Sequence, residues 1–154
     1  MANTAEDFLV FAKKLKAADF AQEEITQRTI INRAYYAVFH LATDIADRLT
    51  LPLPMTAQGG SHQKLYDRFI SCTRRPEPEL LALKCIGYIA SRTLKPFRFS
   101  ADYDLNNTIS MQAAAQTLAN ANKIFDKAAQ LIGSSNILES EPSIPYSKEA
   151  TPPL

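Results

Sequence analysis

An arginine, two tyrosines and a histidine stand close together in segment 33–40, whose sequence is RAYYAVFH. If this segment is helical, Arg33 and His40 project about 20° apart and roughly 10.5 Å apart along the axis, so they share one face. Tyr36 flanks that line, and Asp44 lies one turn beyond His40, where it can accept a hydrogen bond from the imidazole. An arginine that binds phosphate and an imidazole that moves a proton can together cleave a phosphodiester bond. The segment therefore predicts a catalytic pair, Arg33 and His40, with Tyr36 contacting substrate and Asp44 supporting His40.

A structural interpretation of the same residues stays open. Arg33 and His40 can instead pair with acidic groups such as Asp44, or with a second subunit, and stabilise packing. Tyr35 falls on the apolar stripe of the helix, which favours a core position, whereas Tyr36 is better placed to stack on an unpaired base. The apolar stripe consists of Ile31, Tyr35, Val38, Ala42, Ile45 and Leu49.

Composition predicts one compact domain without metal or cofactor. A chain of 154 residues with 46% apolar residues can bury a core, and a net charge of +1 leaves any RNA affinity to local basic clusters. Cys72 and Cys85 have no neighbouring Cys or His at metal-ligand spacing, so we expect free thiols. No apolar run reaches the roughly 18 residues of a membrane span, and the N-terminus does not resemble a secretion signal. We therefore expect a cytoplasmic protein that does not contact membranes.

Apolar residues recur at helical spacing throughout, without strand-like alternation, so the sequence predicts an all-α bundle of four to five helices. Residues 1–133 should form this domain, and the proline-rich residues 134–154 should be a disordered tail. Residues 96–107 are polar and irregular, which predicts a structured loop. The expected helices are residues 5–17, residues 22–49, a third beginning at Ser61, a fourth from Pro76 to Pro96 and a fifth from Thr108 to a terminating Gly133.

Three separated segments resemble the HEPN superfamily, the higher eukaryotes and prokaryotes nucleotide-binding domain. They are RAYYAVFH at 33–40, SHQKLYDRF at 61–69 and RFSADYD at 98–104. The likeness is to small stand-alone prokaryotic members and covers roughly residues 5–132. Three segments in the same order and spacing make it fairly specific.

The resemblance implies an up-and-down helical bundle that forms a homodimer, often encoded beside a minimal nucleotidyltransferase in a toxin–antitoxin or phage-defence pair. Many members are metal-independent RNases whose motif is an arginine, four to six residues and a histidine. The resemblance thus implies RNA binding, with metal-independent endoribonuclease activity as the enzymatic hypothesis. The alternative is a catalytically degenerate scaffold that binds a nucleotidyltransferase partner or a nucleotide.

The second and third segments supply further candidates for binding substrate. Arg98 can bind phosphate, and Tyr103 can contact substrate. Asp102 either orders the loop or orients Arg33 or Arg98. His62, directly after Ser61, is expected to contact and orient other residues of the site rather than to act as a base. In the family the RNase motif lies in a later helix, and there Arg98 is followed by no histidine, which favours the scaffold alternative.

Overall fold

The computed structural model describes the backbone of residues 2–138 and the side chains of residues 2–133. This part of the chain is all-helical, as predicted. Its helices are α1 (Ala5–Lys16), α2 (Glu24–Arg48), α3 (Ser61–Ile70), α4 (Glu77–Ile89), α5 (Lys95–Tyr103) and α6 (Met111–Leu138). No helix in residues 2–138 has the length and hydropathy needed to cross a membrane.

Thr4, followed three residues later by Asp7, has the spacing of a reciprocal helix cap, and α1 begins there. The amide of Asp7 donates to the Thr4 hydroxyl oxygen at 3.2 Å, and the amide of Thr4 donates to the Asp7 carboxylate at 2.8 Å. These two bonds satisfy amides that would otherwise lack a partner at the start of a helix. Asp7 thus serves in the reciprocal cap where glutamate is more usual.

Helix α2 is the central element and packs against α1, α3, α5 and α6. Its predicted stripe is correct: Tyr35 and Val38 are fully buried, and Leu49 is partly exposed at the end of the helix. The face of α2 next to this stripe carries Tyr36, which contacts α5, and His40, which contacts α1. The remaining members of the stripe, Ile31, Ala42 and Ile45, are also buried.

The predicted end of the fourth helix at Pro96 is wrong, and so is the predicted loop after it. Helix α4 passes through a π-helical turn, Ala90–Leu94, directly into α5. The amide of Lys95 donates to the carbonyl oxygen of Ala90, five residues back. Such a wide turn leaves room for the proline ring. Pro96 has no amide N–H to donate, but residues in the first turn of a helix do not need that donor. Three candidate residues, Arg98, Asp102 and Tyr103, therefore lie on a continuous helix rather than on a loop.

Two glycines differ in their effect on the helices. A Cβ on Gly87 would lie 2.8 Å from side-chain atoms of Phe69 and Ile70, so this glycine allows the close approach of α3 and α4. Gly133 was expected to end the last helix, but α6 continues to Leu138. The predicted disorder of 139–154 lies outside the described residues.

Candidate functional site

The three segments that carry the resemblance meet in space at α2, α3 and α5. The hydroxyl of Tyr35 lies 2.6 Å from Nδ1 of His62, which joins α2 to α3. Nη2 of Arg98 donates to the hydroxyl oxygen of Tyr36 at 3.0 Å, which joins α5 to α2. Residues separated by 27 and 62 positions are thus in direct contact.

Arg98 is held on several sides. Its Nε lies 2.7 Å from the carboxylate of Asp102, although the N–H is not aligned for a good hydrogen bond, so this contact is an ion pair. Nη2 also donates to the Tyr103 hydroxyl at 3.2 Å, and the guanidinium lies 5.0 Å from the centre of that ring. The amide of Asn32 donates to both oxygens of Asp102 at 3.0 Å. Within the described residues Nη1 of Arg98 makes no hydrogen bond, so this nitrogen can bind an anion.

His62 lies between two aromatic rings. It stacks on Phe39 with a centroid distance of 4.2 Å and is parallel to Tyr35 at 5.6 Å. Its burial, together with the positive charges of Arg98 and Lys95, lowers the pKa of His62 below its usual value. The imidazole is therefore neutral near pH 7; Nδ1 is engaged by Tyr35, and in the part of the chain that the structure describes Nε2 has no hydrogen-bond partner.

Arg33 and His40 share a face of α2, as their spacing predicted. Both contact Phe8 of α1: the Arg33 guanidinium lies 5.8 Å from the ring centre, and the His40 ring lies 5.2 Å from it. His40 is exposed, and its ring lies 6.3 Å from that of Tyr36. Since Tyr36 also binds Arg98, it links the row of Arg33 and His40 to the Arg98 cluster.

Asp44 has a different partner from the expected one. Its carboxylate pairs with Arg48 at 3.0 Å, and both side chains are exposed. Arg48 lies one turn further along α2, and its long, permanently charged side chain reaches an acidic residue at this spacing readily. The predicted support of His40 by Asp44 is therefore not present, and the contacts of His40 are with aromatic rings.

Three further residues that build the site were not predicted from the sequence. Asn32 aligns Asp102, and Nζ of Lys95 donates to the side chain of Gln63 at 2.8 Å while its charge acts on His62. Arg28 is 8% exposed and donates to the carbonyl oxygens of Ser100, Ala101 and Asp104 at the end of α5. Glu24, one helical turn before Arg28, was the available sequence signal for Arg28, whereas Asn32 and Lys95 are identifiable only from contacts distant in sequence.

Comparisons with known proteins give no relative: no family model, no curated protein and no solved structure matches the chain.

Proposed function

We propose that this chain is a HEPN-like protein that binds RNA and cleaves it without a metal ion. The observation that carries the proposal is the position of Tyr36, whose hydroxyl binds Arg98 and whose ring lies 6.3 Å from His40 and 6.1 Å from His62. Both histidines of the chain thus contact one tyrosine that also binds the guanidinium of Arg98. The meeting of the three HEPN-like segments at this point gives further support.

The two arginines have the role of binding phosphate. Arg98 offers Nη1, while Asp102 and two tyrosines fix its direction, so little conformational freedom is lost on binding. Arg33 lies against the same Phe8 ring as His40 and offers a second positive charge there. Tyr36 positions a base or ribose between them. Such fixed cations offset the charge that develops on phosphate oxygens in the transition state.

The two histidines have the role of moving protons. In the tautomer in which Nδ1 of His62 donates to Tyr35, Nε2 accepts the proton of a ribose 2′-hydroxyl. The 2′-oxygen then forms a bond to phosphorus as the bond from phosphorus to the 5′-oxygen breaks. Protonated His40 gives its proton to that leaving oxygen. The products are a 2′,3′-cyclic phosphate and a 5′-hydroxyl, so no further reactant is needed.

Cleavage of RNA by the purified protein in EDTA tests this function. We expect wild type to produce cyclic-phosphate ends, and His40→Ala, Arg33→Ala and Arg98→Ala each to lower the rate at least about 100-fold. Arg48→Ala is the matched control, because its ion pair is exposed on α2 and should leave the rate unchanged. Equal cleavage by wild type and all variants would show that the assigned site is wrong.

The second candidate function is a non-catalytic scaffold that binds a minimal nucleotidyltransferase or a nucleotide. The ion pair of Arg98 with Asp102 favours it, because a carboxylate already balances the charge of the guanidinium. An intact RNA substrate after incubation with wild type would select this alternative. A toxin–antitoxin or phage-defence setting, and a homodimer formed through α2 and α4, are proposed under both candidates. Light scattering during size-exclusion chromatography tests the dimer.

A further inference from the structure

A groove of about 380 Å³ lies between α1 and α2. Phe8 belongs to the groove and also contacts His40, so the groove is continuous with the candidate catalytic face. Its volume falls within the range of about 300–1,000 Å³ that is typical of small-molecule sites. The lining residues are Asn3, Asp7, Phe8, Phe11, Thr29 and Arg33.

The lining combines a flat apolar surface with two kinds of polar group. The Phe11 side chain is 48% exposed although it is a large apolar residue. One carboxylate oxygen of Asp7 accepts from the amide and hydroxyl of Thr4 at 2.8 Å, and the other makes no hydrogen bond within the described residues. These bonds lower the pKa of Asp7, so its free oxygen is a charged acceptor at neutral pH. Arg33 adds a cation to the lining.

A ribonucleotide has the matching parts. An exposed aromatic ring stacks on a nucleobase, a carboxylate accepts from an exocyclic amine, and a guanidinium binds phosphate. We propose that this groove is a nucleobase subsite for the nucleotide beside the scissile phosphate, and that it takes adenine, cytosine or guanine in preference to uracil. Phe11 stacks on the base, Asp7 accepts from the amine that uracil lacks, and Arg33 binds the phosphate. This inference rests on the proposed function, to which it adds base selection.

Equilibrium binding of the four ribonucleoside 5′-monophosphates tests the subsite directly. We expect AMP, CMP and GMP to bind wild type at least about threefold more tightly than UMP, a preference that a single hydrogen bond to a charged acceptor supplies. Phe11→Leu should weaken binding of all four about tenfold, because stacking on an aromatic ring is lost. Val10→Ala is the matched control, since Val10 is also exposed on α1 but does not line the groove. Asp7→Asn, checked for folding by its melting curve, should remove the preference against UMP.

Several outcomes would overturn the subsite. These are no binding of any monophosphate, equal binding of all four, or identical behaviour of Phe11→Leu and Val10→Ala. Self-association that Phe11→Leu abolishes, without an effect on nucleotides, would assign the groove to a second copy of the chain. RNA cleavage separates the two proposals. Cleavage without nucleotide binding would mean that the proposed function stands and the subsite is wrong. Nucleotide binding without cleavage would mean that the groove binds nucleotides and the proposed cleavage is wrong.

Discussion

The hydroxyl of Tyr36 accepts a 3.0 Å hydrogen bond from Arg98, a residue 62 positions later in the chain. Tyr36→Phe removes this bond and leaves the ring in place. We expect unfolding to become easier by about 0.5–1.5 kcal/mol and RNA affinity to fall severalfold, because Arg98 loses one of the groups that fix it. Denaturant titration and RNA binding measure the two effects. Tyr88→Phe is the control, since Tyr88 is exposed and its ring contacts Arg92. Equal losses in both variants would contradict the role of the bond.

Arg28 of α2 donates hydrogen bonds that hold the C-terminal end of α5 in place. Arg28→Ala leaves the carbonyl oxygens of Ser100, Ala101 and Asp104 without this donor, so we expect the free energy of unfolding to fall by about 2–4 kcal/mol. Arg48→Ala should change it by less than about 1 kcal/mol, because exposed ion pairs contribute little. Thermal or urea unfolding compares the two. A loss at Arg28 no greater than at Arg48 would show that the network does not hold α5.

Gly87 and Gly133 should respond in opposite directions to the same change. Gly87→Ala places a methyl group 2.8 Å from atoms of Phe69 and Ile70, and we expect a loss of about 1–3 kcal/mol. At Gly133 a Cβ would meet no atom of the described residues within 4 Å, so Gly133→Ala should stabilise α6 by up to about 1 kcal/mol. Urea unfolding of both variants measures the difference. Stabilisation at both positions would mean that α3 and α4 can move apart at little cost.

His62 should make stability depend on pH in the weakly acidic range. Its pKa is lowered in the folded chain, first by burial and then by Arg98 and Lys95, so below about pH 6.5 the unfolded chain binds a proton that the folded chain does not. The contribution of neutral His62 is therefore complete above that pH and is lost as the pH falls towards the lowered value. Melting curves of wild type between pH 7.5 and pH 5.5 measure this loss.

His62→Gln should reduce that dependence, because glutamine does not titrate. His40→Gln serves as the comparison, since His40 is exposed on α2. If His62→Gln keeps the full loss of stability on acidification, other groups are responsible for it.

The sequence was sufficient for features that depend on neighbours along the chain. The Thr4 and Asp7 cap and the buried stripe with Tyr35 follow from spacing alone, because both concern residues three or four positions apart. The end of the fourth helix was mispredicted because Pro96 is a helix breaker only in a regular α-helix, and the π-helical turn before it depends on packing.

The candidate site was predictable in its members more than in its pairings. Arg98, Asp102 and Tyr36 were identified by residue type, yet their contacts join helices far apart in sequence. Asp44 was given the wrong partner because two residues at helical spacing, His40 and Arg48, were available to it. Periodicity shows which face a side chain occupies, and only the folded chain shows which of several neighbours it binds.

The π-helical turn Ala90–Leu94 has a consequence for how this chain tolerates length changes. Loss of one residue there would restore an ordinary helix and improve its local geometry. It would leave the downstream helix facing nearly the same way, because an i→i+5 turn holds about one residue more than an i→i+4 turn, so Arg98 would still point towards α2. A shortened variant of this kind should therefore fold and keep the bond between Arg98 and Tyr36, because the wide turn is what accommodates the extra residue.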